Sequence, residues 1–136
     1  GIWNGMQEYM QANQISSRVK LLFRVKDEER NWLLANAALF VTPSLFEGFG
    51  RTPVEAAICK IPVISTKETS LFEATQGLCN YVENATDEKE LAELMLNIIE
   101  NPQEEKQLEE IAKKLACIYQ AENCAKLYIL SFRSYV

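Results

Sequence analysis

Histidine is missing from all 136 residues. Without an imidazole to take a proton from the nucleophile, serine–histidine–aspartate triads and cysteine–histidine pairs are excluded. Cysteine is scarce: Cys59, Cys79, Cys117 and Cys124 stand alone, with no CxxC spacing. The chain therefore lacks the ligand pattern of a zinc site, and the thiols read as buried and reduced in a cytoplasmic protein. No apolar run approaches the ~18 residues of a membrane-spanning helix, and no signal-peptide pattern is present. In that setting the Asn84-Ala85-Thr86 sequon is expected to be incidental. Positive charge is also short, with 14 basic against 19 acidic residues and a net charge of -5. Arg24 to Lys26, Lys60 and Lys113-Lys114 are the basic clusters, each brief, so neither a nucleic-acid surface nor an anionic-lipid patch is expected. A hydrophobic fraction of 48% is enough for one core, and a single domain over residues 1–136 is the starting expectation.

Elements alternate along the first two thirds of the chain. Residues 1–14 are weakly helical, with Met6, Tyr9 and Met10 on one face. Val19–Phe23 reads as a short strand, and Asp27-Glu28-Glu29 then opens a helix, running to about Ala37, with acid in its first turn. Leu39–Thr42 is a second strand, apolar on both sides as in a parallel sheet covered on both faces. A helix from Pro53 to about Cys59, a strand at Ile61–Ser65, a short helix with capping-box spacing at Ser70–Glu73 and a strand at Leu78–Val82 follow. Such alternation predicts a doubly wound α/β sheet over about residues 17–84. A helical region over about residues 85–136 completes the chain: Asp87–Glu100, a charged helix after Pro102 carrying Leu108, Ile111, Leu115 and Ile118, and a last helix from Ala121 to about Phe132.

The stretch between the second strand and the next helix, "PSLFEGFGRTPVEAA", carries the chemistry. Ligands of doubly wound sheets bind beyond the carboxyl ends of strands, where loops enter helix N-termini. Gly48 and Gly50 permit close approach of a bulky anion to the main chain. Pro53 fits the first helical turn, where exposed N–H groups carry partial positive charge and can cradle a phosphate, with Arg51 available as a full charge. Glu47 and Glu55 suit hydroxyl pairs, since a carboxylate accepts two hydrogen bonds from a vicinal diol. A phosphate between two sugars, flanked by two carboxylates, describes a nucleotide sugar. Thr52 to Glu55 also has capping-box spacing, in which Glu55 merely reaches back to the Thr52 N–H. Ser44 to Glu47 has the same spacing, but Gly48 and Gly50 oppose a helix there.

The segment resembles the retaining glycosyltransferases of group 1, also called family 4, whose E-x7-E motif corresponds to Glu47 and Glu55, followed by "IPVIST". Further likeness runs from "SSRVKLLFRV" through "LLANAALFVTPS" to Glu73 and "ATDEKELAELMLNII". The resemblance implies the Rossmann-like C-terminal half of a two-domain GT-B fold and transfer of a hexosyl group from a nucleoside diphosphate sugar with retention of configuration. By the same resemblance, Glu47 is the catalytic residue beside the donor sugar. Main-chain groups of Gly48, Phe49 and Gly50 meet the sugar and distal phosphate, with Arg51 beside the phosphates. Thr52 and Val54 flank the pyrophosphate, Glu55 holds the ribose diol, and Glu73 fits a position after the third strand. No metal and no cofactor beyond the donor is implied.

Lys60 stands where the family usually has glycine, Thr69-Ser70 where paired glycines are common, and Arg51 where an apolar residue is common. Family enzymes also carry an N-terminal acceptor domain and, early in the donor domain, a basic pair that neutralises the pyrophosphate. These are expected to lie before Gly1, making the chain an N-terminally truncated unit that turns over little or nothing alone. The implied partners are the donor and an acceptor sugar, lipid or polysaccharide. The implied location is cytoplasmic, with peripheral attachment at the inner membrane face open for the full-length enzyme. A non-catalytic Rossmann-like binding or assembly module, and a related GT-B phosphorylase or epimerase, are the competing readings. Oligomeric state, base, sugar and acceptor are not encoded in any pattern found.

Overall fold

The computed structural model describes residues 2–68 and 70–121, with side chains from Asn4 onward. The described residues fall into two compact units that adjoin in sequence at Arg30 and Asn31. In the first, α1 (Ile2–Ala12) closes with the Ile15 N–H donating to the Met10 carbonyl at 3.0 Å and the Gln14 N–H to Gln11 at 3.1 Å. This is a Schellman ending, and it places Gln14 in the left-handed region at φ 55°. The strand expected at Val19–Phe23 does not form: these residues pair with no strand, and Val19, Leu22 and Phe23 are exposed. A short apolar run has no stability as a strand without a ladder partner, and Arg24, which follows it, is left-handed at φ 53°.

Helix α2 (Asp27–Asn36) begins with Asp27, Glu28 and Glu29 in its first turn, as its sequence predicts. The second unit is a parallel α/β sheet of β1 (Phe40–Thr42), β2 (Val63–Thr66) and β3 (Asn80–Val82), in that spatial order. Helices α3 (Arg51–Ile58) and α4 (Leu71–Ala74) form the two crossovers, as parallel pairing requires. Both expected helices of the C-terminal region that are described are present as α5 (Glu88–Glu100) and α6 (Glu105–Ile118). The helix expected at Ala121–Phe132, and with it Cys124, lies outside the described residues apart from Ala121.

The central strand β2 is buried along its whole length and builds two cores, because alternate side chains point to opposite faces. Val63 packs with Leu34, Ala56, Ala57, Ile61 and Leu115, which brings α2, α3 and α6 to one face. Ile64 packs with Val82 and Ile98, with Leu91, Leu94 and Met95 of α5 against the other face. The apolar stripe read in α5 is thus sheet cover. Asp87 sets the start of α5, accepting from the N–H groups of Lys89 at 3.0 Å and Glu90 at 3.1 Å through its Oδ1.

Candidate functional site

The carboxyl ends of β1 and β2 open onto residues 43–50, and side-chain hydroxyls hold that loop against the sheet. Thr66, the buried last residue of β2, donates through Oγ1 to the Ser44 carbonyl at 2.8 Å. Ser70 donates through Oγ to the Glu47 carbonyl at 3.3 Å. Neither anchor is evident in the sequence pattern. Ser70 was expected to cap α4 with its side chain; it is the N-cap residue, but it makes no side-chain cap bond, because its hydroxyl serves the loop instead.

Gly50 is the pivot between loop and helix. It is buried, it is the N-cap of α3, and its φ of 79° and ψ of 40° lie in the left-handed region. A Cβ there would stand 2.7 Å from Leu71 Cδ2. The two glycines are not equivalent: Gly48 is exposed, and a Cβ added to it would meet nothing within 4 Å. Only Gly50 is demanded by the fold, which leaves Gly48 as a point of open approach to the main chain.

With Gly50 as N-cap, α3 starts at Arg51, earlier than the expected Pro53, and Pro53 remains within the first turn. Thr52 therefore lies inside the helix, and the alternative reading of a Thr52–Glu55 capping box fails because the N-cap position is held by Gly50. The N–H groups of Arg51 and Thr52 have no acceptor within the helix, and both residues are exposed. Pro53 and Val54 turn into the core, Val54 being 5% exposed, so the Val54 side chain supports the turn from beneath.

Glu55 instead accepts from Arg51 Nε at 2.7 Å, one turn back along α3. The Arg51 side chain is 82% exposed and that of Glu55 24%. A pair this open to water is worth only about 0.3–0.5 kcal/mol, so a ligand hydroxyl group can compete for the carboxylate. Glu47 is half-buried in the loop, and Glu73 is exposed on α4. The structure thus gathers Glu47, Gly48, Phe49, Gly50, Arg51, Thr52 and Glu55 around one strand-to-helix turn, whose first-turn amides carry the positive end of the helix dipole. A further residue joins them that sequence reasoning missed. Phe49 is packed edge-on against Tyr119, with ring centroids 5.7 Å apart and an interplanar angle of 87°.

The chain is similar to known proteins. The chain is 44% identical over 55 residues to O-antigen chain mannosyltransferase B of Escherichia coli, a match covering 40% of this chain and 14% of that protein. It is 34% identical over 71 residues to the alpha-1,3/1,6-mannosyltransferase ALG2 of Dictyostelium discoideum, covering 48% of this chain and 17% of that protein. The chain therefore spans well under a quarter of the length of these curated relatives. Its fold resembles that of sucrose-phosphate synthase from Thermosynechococcus elongatus, with a TM-score of 0.73 at 23% identity, over 95% of this chain and 34% of that one. The family described as glycosyl transferases group 1 matches residues 4–115, and it is to this family that the chain belongs.

Proposed function

We propose that this chain is the donor-binding part of a hexosyltransferase that moves a sugar from a nucleoside diphosphate to an acceptor with retention at the anomeric carbon. The observation that carries the reading is the turn at Gly50: a left-handed N-cap that opens α3, whose first-turn amides have no acceptor within the helix, with Glu47 before it in the loop and Glu55 after it on the helix. The diphosphate would lie against the N–H groups of Arg51 and Thr52 and the main chain at Gly48 to Gly50. Those amides stabilise the charge that builds on the departing diphosphate, and as fixed dipoles they do so without reorganising. The Arg51 guanidinium, held loosely by Glu55, is within the same turn and adds a mobile positive charge. Val54 holds the turn from the core side.

Glu47 orients the sugar through its hydroxyls, and Glu55 accepts from the ribose diol, exchanging its exposed contact with Arg51 for two hydroxyl donors. Both curated relatives are named as mannosyltransferases, which favours mannose as the hexose. The acceptor, a sugar, lipid or polysaccharide, would be bound by the rest of the full-length enzyme in the cytoplasm. Residues 1–136 on this reading are one donor-domain fragment.

Isothermal titration of the chain with guanosine, uridine and adenosine diphosphates tests this. One nucleotide should bind, and Glu55→Ala should weaken it by about tenfold or more, the cost of removing a charged hydrogen-bond acceptor. Binding that is indifferent to Glu55→Ala would assign the turn another ligand.

A further inference from the structure

We infer that Tyr119 is a positioning residue for the Gly48–Gly50 segment. It stands at the C-cap of α6, where its N–H donates to the Leu115 carbonyl at 3.0 Å, and Leu115 is fully buried in the core. Its main chain therefore moves with the core. Its ring takes the edge-to-face position against Phe49, and its hydroxyl donates to the Ala74 carbonyl at 2.6 Å, at the last residue of α4. Helix α4 in turn supplies Leu71, the side chain that lies beneath Gly50. One side chain thus links the end of α6, the end of α4 and the only aromatic residue between the two site glycines.

Phe49 is 54% exposed and sits next to Gly48, whose backbone meets no crowding. Ser70 anchors the chain before Gly48 and Leu71 lies beneath Gly50, and the ring of Tyr119 adds an edge-on contact at half-exposed Phe49 between those two points. Tyr119 is assigned no contact with the donor. Its effect passes through Phe49 to the amides on either side of that residue, and the expected consequence for affinity rests on the donor-binding reading above.

Two measurements on the full chain separate the inference from that reading. In the ligand-free protein, backbone 15N order parameters at Phe49 and Gly50 should be near 0.85 in the wild type and fall below about 0.6 in Tyr119→Leu. Tyr119→Phe keeps the ring against Phe49 and gives up only the hydroxyl bond to Ala74, so its values should lie closer to the wild type than to Tyr119→Leu. Phe49→Leu, which removes the same contact and leaves α6 unaltered, should loosen Gly50 as Tyr119→Leu does, and it serves if Tyr119→Leu fails to fold. Titration with guanosine diphosphate and uridine diphosphate should then show binding about three- to tenfold weaker in Tyr119→Leu and close to wild type in Tyr119→Phe. Unchanged order parameters in Tyr119→Leu and Phe49→Leu overturn the inference whatever the nucleotides do. A loosened segment with undiminished nucleotide affinity overturns it as well. If no nucleotide binds the wild type, the order parameters alone decide whether Tyr119 holds the segment.

Discussion

A methyl group on Gly50 would collide with Leu71 and would also sit on a backbone at φ 79°. Gly50→Ala should therefore destabilise the fold by about 1–3 kcal/mol, from left-handed strain and overpacking together. Gly48→Ala meets no steric obstacle in the protein and should leave stability within about 0.5 kcal/mol, while reducing nucleotide affinity if the main chain there is a contact surface. Chemical denaturation alongside titration checks both, and equal destabilisation by the two changes would contradict the distinction. At this scale the sequence was partly legible. Gly48, Gly50, Pro53 and the two glutamates announce a strand-to-helix turn by residue type alone. Which glycine bears the strain is not legible, because it depends on Leu71 lying beneath. Tyr119 was invisible for a related reason: its bonded partner Ala74 is 45 positions away, and no local period connects them.

Helices were legible as elements and their ends were not. The stripes of α5 and α6 and the acid-rich start of α2 each follow from spacing or local charge, and tertiary packing supports them. Capping-box spacing located the start of α4 at Ser70 but not the use of its hydroxyl, which goes to the Glu47 carbonyl, and the competing box at Thr52 loses because Gly50 is the N-cap of α3. The strand expected at 19–23 shows the converse, an intrinsic preference with no partner to pair with. Helix ends also reveal a shared habit. α1, α3 and α4 all finish in Schellman turns with a non-glycine residue left-handed: Gln14 at φ 55°, Lys60 at 62° and Gln76 at 54°. Gln76→Gly should thus raise stability by about 0.5–1 kcal/mol in urea denaturation, by relieving that strain. Lys60→Gly should gain less, because Lys60 Nζ donates to Glu109 Oε1 at 2.7 Å and joins the end of α3 to α6. A loss of stability in Gln76→Gly would show that its side chain, which donates to the Glu73 carbonyl, matters more than its backbone.

For the molecule as a whole, the titrating groups that depart from their ordinary values set an alkaline limit. Burial pushes the Cys79 thiol up from 9.0 to about 11, and burial also raises Tyr81, whose hydroxyl lies 2.6 Å from Thr75 Oγ1. Lys60 is raised by its hydrogen bond to Glu109. In all three the folded state keeps a proton that the unfolded chain gives up more readily. For Cys79 the contribution is therefore full below about pH 9 and is lost as the pH climbs through about 11, while those of Tyr81 and Lys60 are lost in the same direction, above their ordinary values of 10.0 and 10.5. Glu109, lowered by Lys60, acts at the other end, its contribution disappearing only as the pH falls beneath the ordinary carboxylate range. Urea midpoints at pH 7 and pH 10.5 should differ, with the alkaline value lower, and a flat profile would refute the assignment. In the native protein near pH 8, thiol alkylation should proceed at exposed Cys59 and Cys117 before Cys79.

The alternation of Val63 and Ile64 has a consequence for how this protein tolerates change. Inserting one residue between Lys60 and Val63 would turn β2 over, presenting each of its side chains to the opposite layer of helices. Such an insertion would disturb both cores at once and also swing Thr66 away from Ser44, so a length change far from the glycine turn would unmoor the turn itself.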